Sequence, residues 1–218
     1  MMGGKRLDVK IRSRVELPVS QGFGMSGAGA LSTAYALNEA MNMQISKEEL
    51  TRIAHIAEVE AMTGLGDVYP QSLGGMETRL RPGAPPWGEV RRKAGKNEII
   101  LCVLGKELET KDVLRKPAMR RRIAEVGKEY VDEYVRNPSW DNLIEFSCEF
   151  AVRTKLASKK ILGAIAAVEK LGGKAGMAML GNSVFAFGDE RVKKALRKKG
   201  KVFMCRIENE GARLTPPE

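Results

Sequence analysis

Residues 18–30 read Pro-Val-Ser-Gln-Gly-Phe-Gly-Met-Ser-Gly-Ala-Gly-Ala, with Gly22, Gly24, Gly27 and Gly29 inside eight positions. Such glycines let a backbone turn through positive φ and come close to a ligand, because no Cβ blocks the approach. An alternating segment leads into this stretch and a helical one leads out. The amides of a first helical turn lack intrahelical partners and sit at the positive end of the dipole, so the turn is suited to an anion, phosphate foremost. The same glycines would also serve a plain tight connection, and that reading stays open. A Walker A loop is excluded, since no lysine occurs between Pro18 and Ser46. Gly22-Phe23-Gly24-Met25-Ser26-Gly27 matches G-x-G-x-x-G, but a second helix follows the first where a dinucleotide fold needs a parallel strand closed by an acid.

Acids and arginines form the next group. Glu58 and Glu60 fall near the end of the second helix, where the dipole disfavours negative charge. Surface exposure explains them, and so does a divalent cation. Asp67 sits between glycines in Thr-Gly-Leu-Gly-Asp-Val-Tyr-Pro-Gln-Ser-Leu-Gly-Gly (63–75). It is either an ordinary turn aspartate after a helix C-cap or a functional acid. Arg79 and Arg81 share one face of the strand that follows and could meet a carboxylate. His55, the only histidine, has no ligand-like neighbours and reads as structural.

The elements that must position these residues follow from pattern. Leu7–Leu17 alternates Val9, Ile11, Val15 and Leu17 with charged residues, which predicts a half-buried strand. A helix is expected from about Gly27 to Met43. Ser46 and Glu49 form a capping box that starts a second helix, with Leu50, Ile53, Ala54, Ala57 and Ala61 as its buried stripe. Gly74–Leu80 reads as a strand, and Arg81–Gly88, rich in proline and glycine, as an irregular connection. From Asn97 a second unit begins. It holds an apolar strand at Glu98–Leu104, helical segments between Thr110 and Leu171, two short strands around Gly181-Asn182, a basic helix at about Asp189–Lys199 and a last strand at Val202–Ile207. The class is α+β, divided at 1–96 and 97–218.

The chain has 218 residues and a formal charge of +10, part of it in the runs 91–93, 115–116, 120–122 and 193–201. Such runs are solvated faces or fields that attract anions, nucleic acid included. Aromatic residues make up only 6% and none is interleaved with the basic runs, which argues against an RNA-stacking platform. No apolar run is long enough for a membrane span and no signal-peptide core is present. Cys102, Cys148 and Cys205 lack the spacing of a disulfide framework or a zinc site, so a reducing cytoplasm is expected.

Pro18-x-x-x-Gly22-Phe23-Gly24-Met25-Ser26-Gly27-Ala28 resembles the phosphate loop of the GHMP small-molecule kinases, and its G-F-G-x-S-G-A-G-A-L form resembles the archaeal pantoate kinases among them. That resemblance implies ATP bound through residues 22–29 and Mg²⁺ held by Ser26. Met25 stands where the family often has its first serine. The 58–75 segment resembles the family's second region, which implies Glu58 as metal ligand, with Glu60 its competitor, and Asp67 as the acid that orients the attacking hydroxyl. Arg79-x-x-Pro82-Gly83-Ala84-Pro85 and its neighbours resemble the pantoate kinases as well, and Met177–Ala186 resembles the third region, which would return Gly181 to the active site. A simple hairpin also fits the last stretch.

The resemblance further implies a ribosomal-protein-like N-terminal domain followed by a ferredoxin-like one. The acceptor would be the terminal hydroxyl of pantoate, in coenzyme A synthesis. Another small hydroxy acid or alcohol, or a non-catalytic nucleotide- or RNA-binding module, are the alternatives. Members of the family carry a segment before the strand that here starts at Leu7. The expectation is therefore an incomplete N-terminal domain, completed by upstream sequence, another chain or a second copy.

Overall fold

The computed structural model describes residues 8–64, 66–106, 113 and 115–215. Helix α1 (Met25–Ala40) packs against α2 (Lys47–Ala61) and the short α3 (Val68–Leu73). Leu31, Tyr35, Leu50, Ala54 and Val68 form their shared core. Strands β1 (Met76–Arg81) and β2 (Glu89–Lys93) then pair as an antiparallel ribbon.

The second part runs β3 (Glu98–Val103), α4 (Pro117–Arg136), α5 (Trp140–Arg153), α6 (Lys159–Glu169), β4 (Lys174–Ala178), β5 (Ser183–Phe187), α7 (Glu190–Arg197) and β6 (Lys201–Arg206). Its sheet has the order β4-β5-β3-β6 with every neighbour antiparallel. That is the ferredoxin-like split-βαβ order, and α5, α6 and α7 cover one face. Alternation drives this packing. Ile100 and Cys102 of β3 and Val184 and Ala186 of β5 point inward against Ile161, Ala164, Ile165 and Val168 of α6. Helices α5, α6 and α7 begin at side-chain caps: Ser139 Oγ accepts from Asn142 N (3.0 Å), Ser158 Oγ from Ile161 N (3.3 Å) and Asp189 Oδ1 from Arg191 N (2.9 Å).

Several expectations change. Residues 8–17 pair with no strand among the described residues, and Val9, Ile11 and Val15 are 48%, 57% and 53% exposed. Alternation prepares a segment for a sheet, but a strand exists only where a neighbour takes its amides and carbonyls. Leu7 lies outside the described residues. Half of the capping box is present: Ser46 Oγ accepts from Glu49 N (3.2 Å), while the Glu49 carboxylate turns to Arg52 (2.6 Å). On α2 the buried positions are Leu50, Thr51, Ala54 and Glu58, and Ile53 is 44% exposed. The helix has rotated its carboxylate inward at the cost of an apolar residue. Arg91, Arg92 and Lys93 lie on β2 rather than on a helix face.

Candidate active site

Gly24 is the pivot of the phosphate-type turn. It takes the left-handed conformation (φ 66°, ψ 22°) at the N-cap of α1, and no side chain caps that helix. Gly22 also has positive φ (78°). The first-turn amides are thus delivered bare to a cavity of about 280 Å³. Gly22, Phe23, Gly24, Met25 and Ser26 line it from the loop, Thr63, Gly64 and Asp67 from the α2–α3 connection, and Met179 and Leu180 from the β4–β5 turn. Three chain segments far apart in sequence meet here. Gly27 is buried against Val68 and Gln71, Ala28 faces away into a second cavity, and Gly29 has open space where a Cβ would stand.

Below the loop, Glu58 is 4% exposed. Ser26 Oγ donates to its Oε2 at 2.9 Å and Thr63 Oγ1 to its Oε1 at 2.8 Å. Gly64 must lack a side chain, because a Cβ there would overlap the same carboxylate. Glu60, by contrast, is exposed and does not line the cavity. A buried carboxylate held by two hydroxyls beside a set of anion-directed amides is a donor set of hard oxygens, the kind that suits Mg²⁺ together with phosphate oxygens. Among the described residues no cluster of three or more His, Cys, Asp or Glu side chains is placed to hold a metal ion.

Asp67 opens onto the cavity at the start of α3. Although the residue keeps an exposed face, the protein around its carboxyl removes enough water to push its pKa above the ordinary range. The charge of Glu58 adds to this, and Arg79 opposes it. Arg79 itself is half-buried. Its Nη2 donates to the Gly66 carbonyl and its Nη1 to that of Gly83 (3.3 Å), which ties the Asp67 turn to the Pro82–Gly88 connection. Arg81 is exposed and pairs with Glu89 at 3.8 Å. Neither arginine lines the cavity. His55 stays beside this group with its Nδ1 buried and without a hydrogen-bond partner among the described residues; burial, then the Arg79 charge, lowers its pKa.

The β4–β5 turn holds the loop from the other side. Ser183 Oγ donates to the Gln21 carbonyl, and Gln21 Nε2 to that of Gly105 (3.3 Å). Gly181 is pressed so closely on the Gln21 backbone that a Cβ would overlap it. Gly181 therefore touches the loop and not the cavity. Thr63, Gln71, Gln21 and Ser183 escaped the sequence reading. Thr63 alone carried a signal, as a hydroxyl beside the glycines that flank Asp67. On the far side of α1 lies a larger, mostly apolar cavity of about 970 Å³, reached by Tyr35, Trp140, Phe187 and Glu77. Burial raises the Glu77 carboxyl to about 7, against the lowering effect of a backbone hydrogen bond, Arg92 and Arg79.

These features agree with the comparisons to known proteins. The model of the GHMP kinases N terminal domain matches residues 2–75. The pantoate kinase of Methanocaldococcus jannaschii is 36% identical over 193 residues, covering 88% of this chain and 70% of that protein. That of Methanospirillum hungatei is 34% identical over 206 residues, covering 94% and 68%. That of Thermococcus kodakarensis is 31% identical, with 62% of its length covered, so the chain spans about two thirds of these relatives. Among solved structures, a phosphotransferase related to the CoA biosynthesis pathway superposes with a TM-score of 0.75 at 28% identity, over 91% of this chain and 66% of that one. Mevalonate kinase from Methanococcus jannaschii gives 0.62 at 15% identity, over 88% and 66%, which supports the fold. With a glycine-rich anion turn, Ser26 bonded to the buried Glu58, and Asp67 around one cavity, and relatives of this identity and coverage, the chain belongs to the pantoate kinase family of the GHMP kinases.

Proposed function

We propose that this chain transfers the γ-phosphate of ATP to the terminal hydroxyl of pantoate, giving 4-phosphopantoate on the route to coenzyme A. The observation that carries this reading is the meeting of the loop amides, the Ser26–Glu58 pair and Asp67 on one cavity. Phosphoryl transfer asks a protein chiefly for position and for neutralisation of charge. The bare first-turn amides of α1 bind and orient the phosphates, and Gly22 and Gly24 let the backbone approach them. Ser26 and Glu58 would hold Mg²⁺, which supplies charge neutralisation across the phosphates when bound. Asp67 accepts a hydrogen bond from the attacking hydroxyl and, with its raised pKa, is well matched to take up the proton. Of the two arginines Arg79 carries its charge nearer to Asp67 and would act on the pantoate carboxylate through its field, its guanidinium being held by the Gly66 and Gly83 carbonyls; Arg81 is committed to Glu89. In this scheme residues 1–96 carry the nucleotide and 97–218 brace the loop through Gly181 and Ser183.

The setting we assign is a reducing cytoplasm, in keeping with three free cysteines; among the described residues no helix is long and apolar enough to cross a membrane. The exposed Val9, Ile11 and Val15 support association with a second copy or another chain, which size-exclusion chromatography with light scattering would read. The deciding experiment is ADP release by the purified chain with Mg²⁺ and ATP, with pantoate, homoserine or mevalonate as acceptor. Release that requires pantoate is the expected result. Release with another acceptor only would move the substrate assignment, and nucleotide binding without acceptor-dependent release would overturn the kinase reading.

A further inference from the structure

Gln71 lies one helical turn beyond Asp67 on α3, and its amide N donates to the Asp67 carbonyl at 3.0 Å, so the two side chains share a face. Both meet Gly24. The Asp67 Cβ and Cγ lie 3.4 and 3.6 Å from the point where a Gly24 Cβ would stand, and Gln71 Nε2 overlaps that point. Gln71 Nε2 donates to the Gly24 carbonyl at 2.8 Å. That carbonyl also accepts from Ala28 N at 3.0 Å, the first bond of α1. Two donors on one oxygen leave it little freedom to tilt.

The consequence comes from peptide geometry. A trans peptide is a rigid plane in which C=O and N–H point in opposite directions. The Gly24 carbonyl and the Met25 N–H belong to one such plane. Fixing the oxygen against α3 therefore fixes the Met25 N–H away from α3, on the side of the cavity that Met25 lines. Gln71 Oε1 is buried without a hydrogen-bond partner among the described residues and stands 3.3 Å from the Cβ position of Gly27, so the side chain is anchored through Nε2. A buried amide left half-unsatisfied costs free energy. We infer that Gln71 is a positioning residue of the phosphate loop: it locks the Gly24–Met25 peptide so that the Met25 amide faces the anion, and it keeps that peptide in register with Asp67. The inference rests on the reading of residues 22–26 as the phosphate loop.

Gln71→Met keeps the length and volume of the side chain without a donor, and Gln71→Glu keeps its shape with acceptors only. For each, ATP affinity is measured by calorimetry, kcat and the two KM values by ADP release, and Tm by thermal melting. Loss of one hydrogen bond that acts on the bound phosphates predicts about five- to tenfold weaker ATP binding and a fall in kcat of similar size. KM for pantoate should stay within about twofold. A purely structural glutamine would lower Tm and leave ATP affinity and kcat intact in the folded variant, and that result overturns the proposal. Gln71→Ala combined with Gly24→Ala supplies a second reading. Removing the amide frees the space a Cβ needs, so Gly24→Ala should weaken ATP less in the Gln71→Ala background than alone; equal effects in both backgrounds would refute the contact. Failure of wild type to bind ATP would remove the phosphate-loop reading and this inference with it, whereas ATP binding without pantoate turnover would leave the affinity test decisive.

Discussion

Gly22→Ala probes the joint between the loop and the second half of the chain. Gly22 has φ 78°, and a Cβ there would stand 2.6 Å from the Ala178 carbonyl oxygen and 2.7 Å from that of Met179. An L-residue in the left-handed region costs roughly 1–2 kcal/mol. The clashing atoms are backbone of the β4–β5 turn and cannot rotate aside as a side chain could, so overpacking adds about 1–3 kcal/mol. A total of about 2–5 kcal/mol predicts a Tm lower by about 4–20 °C for a chain of this size. The strain has one inexpensive exit, movement of the loop off the turn, so ATP affinity should fall together with stability. Gly29→Ala is the matched control: nothing lies within 4 Å of its Cβ position inside α1. Relief of a helical glycine should raise stability by about 0.5–1 kcal/mol with ATP affinity unchanged. Thermal melts and ATP titrations of both variants read the contrast directly. A Gly22→Ala protein with wild-type Tm and ATP affinity would refute the argued contact between loop and turn.

Asp67→Asn should lower turnover strongly and leave ATP affinity close to wild type, as a comparison of kcat with calorimetric affinity would show. Because the Asp67 pKa is raised and the ionised form takes the proton, wild-type kcat should climb with pH through a value above the ordinary aspartate range, and the variant's pH profile should lack that limb. Glu58→Ala should raise the Mg²⁺ concentration needed for half-maximal ADP release by at least about tenfold, while depriving the Ser26 and Thr63 hydroxyls of their shared acceptor and lowering Tm. Glu77, raised from an ordinary 4.5 to about 7, binds its proton more tightly in the folded chain, so stability should be full below pH 4.5 and fall as pH rises to 7. Discounted for partial exposure, the loss is about 1–2 kcal/mol, and Glu77→Gln should flatten it in denaturant titrations across that range.

What the sequence determined by itself is local. The glycines of 22–29 specify a turn through positive φ into a helix because backbone sterics act within a few residues. Ser46 and Asp189 announce helix starts because a cap bonds amides two or three residues ahead. The spacing of the apolar strands and the Gly181-Asn182 turn marked the elements of the second half, since period and turn chemistry are both short-range signals, while their ferredoxin-like order was an expectation from the family resemblance. Tertiary structure decided the rest. Whether 8–17 enters a sheet depends on a neighbour that the alternating pattern cannot supply. Which face of α2 is buried was settled by Ser26 and Thr63, which receive Glu58 from 32 and 5 residues away and draw the carboxylate inward. Arg79 looked like a free cation on a strand, and only the fold set the Gly66 and Gly83 carbonyls against its guanidinium. Gln71 and Ser183 carry no motif at all. They act on the loop across 47 and 162 residues of chain through single hydrogen bonds, and such bonds exist only after helices and sheet have packed.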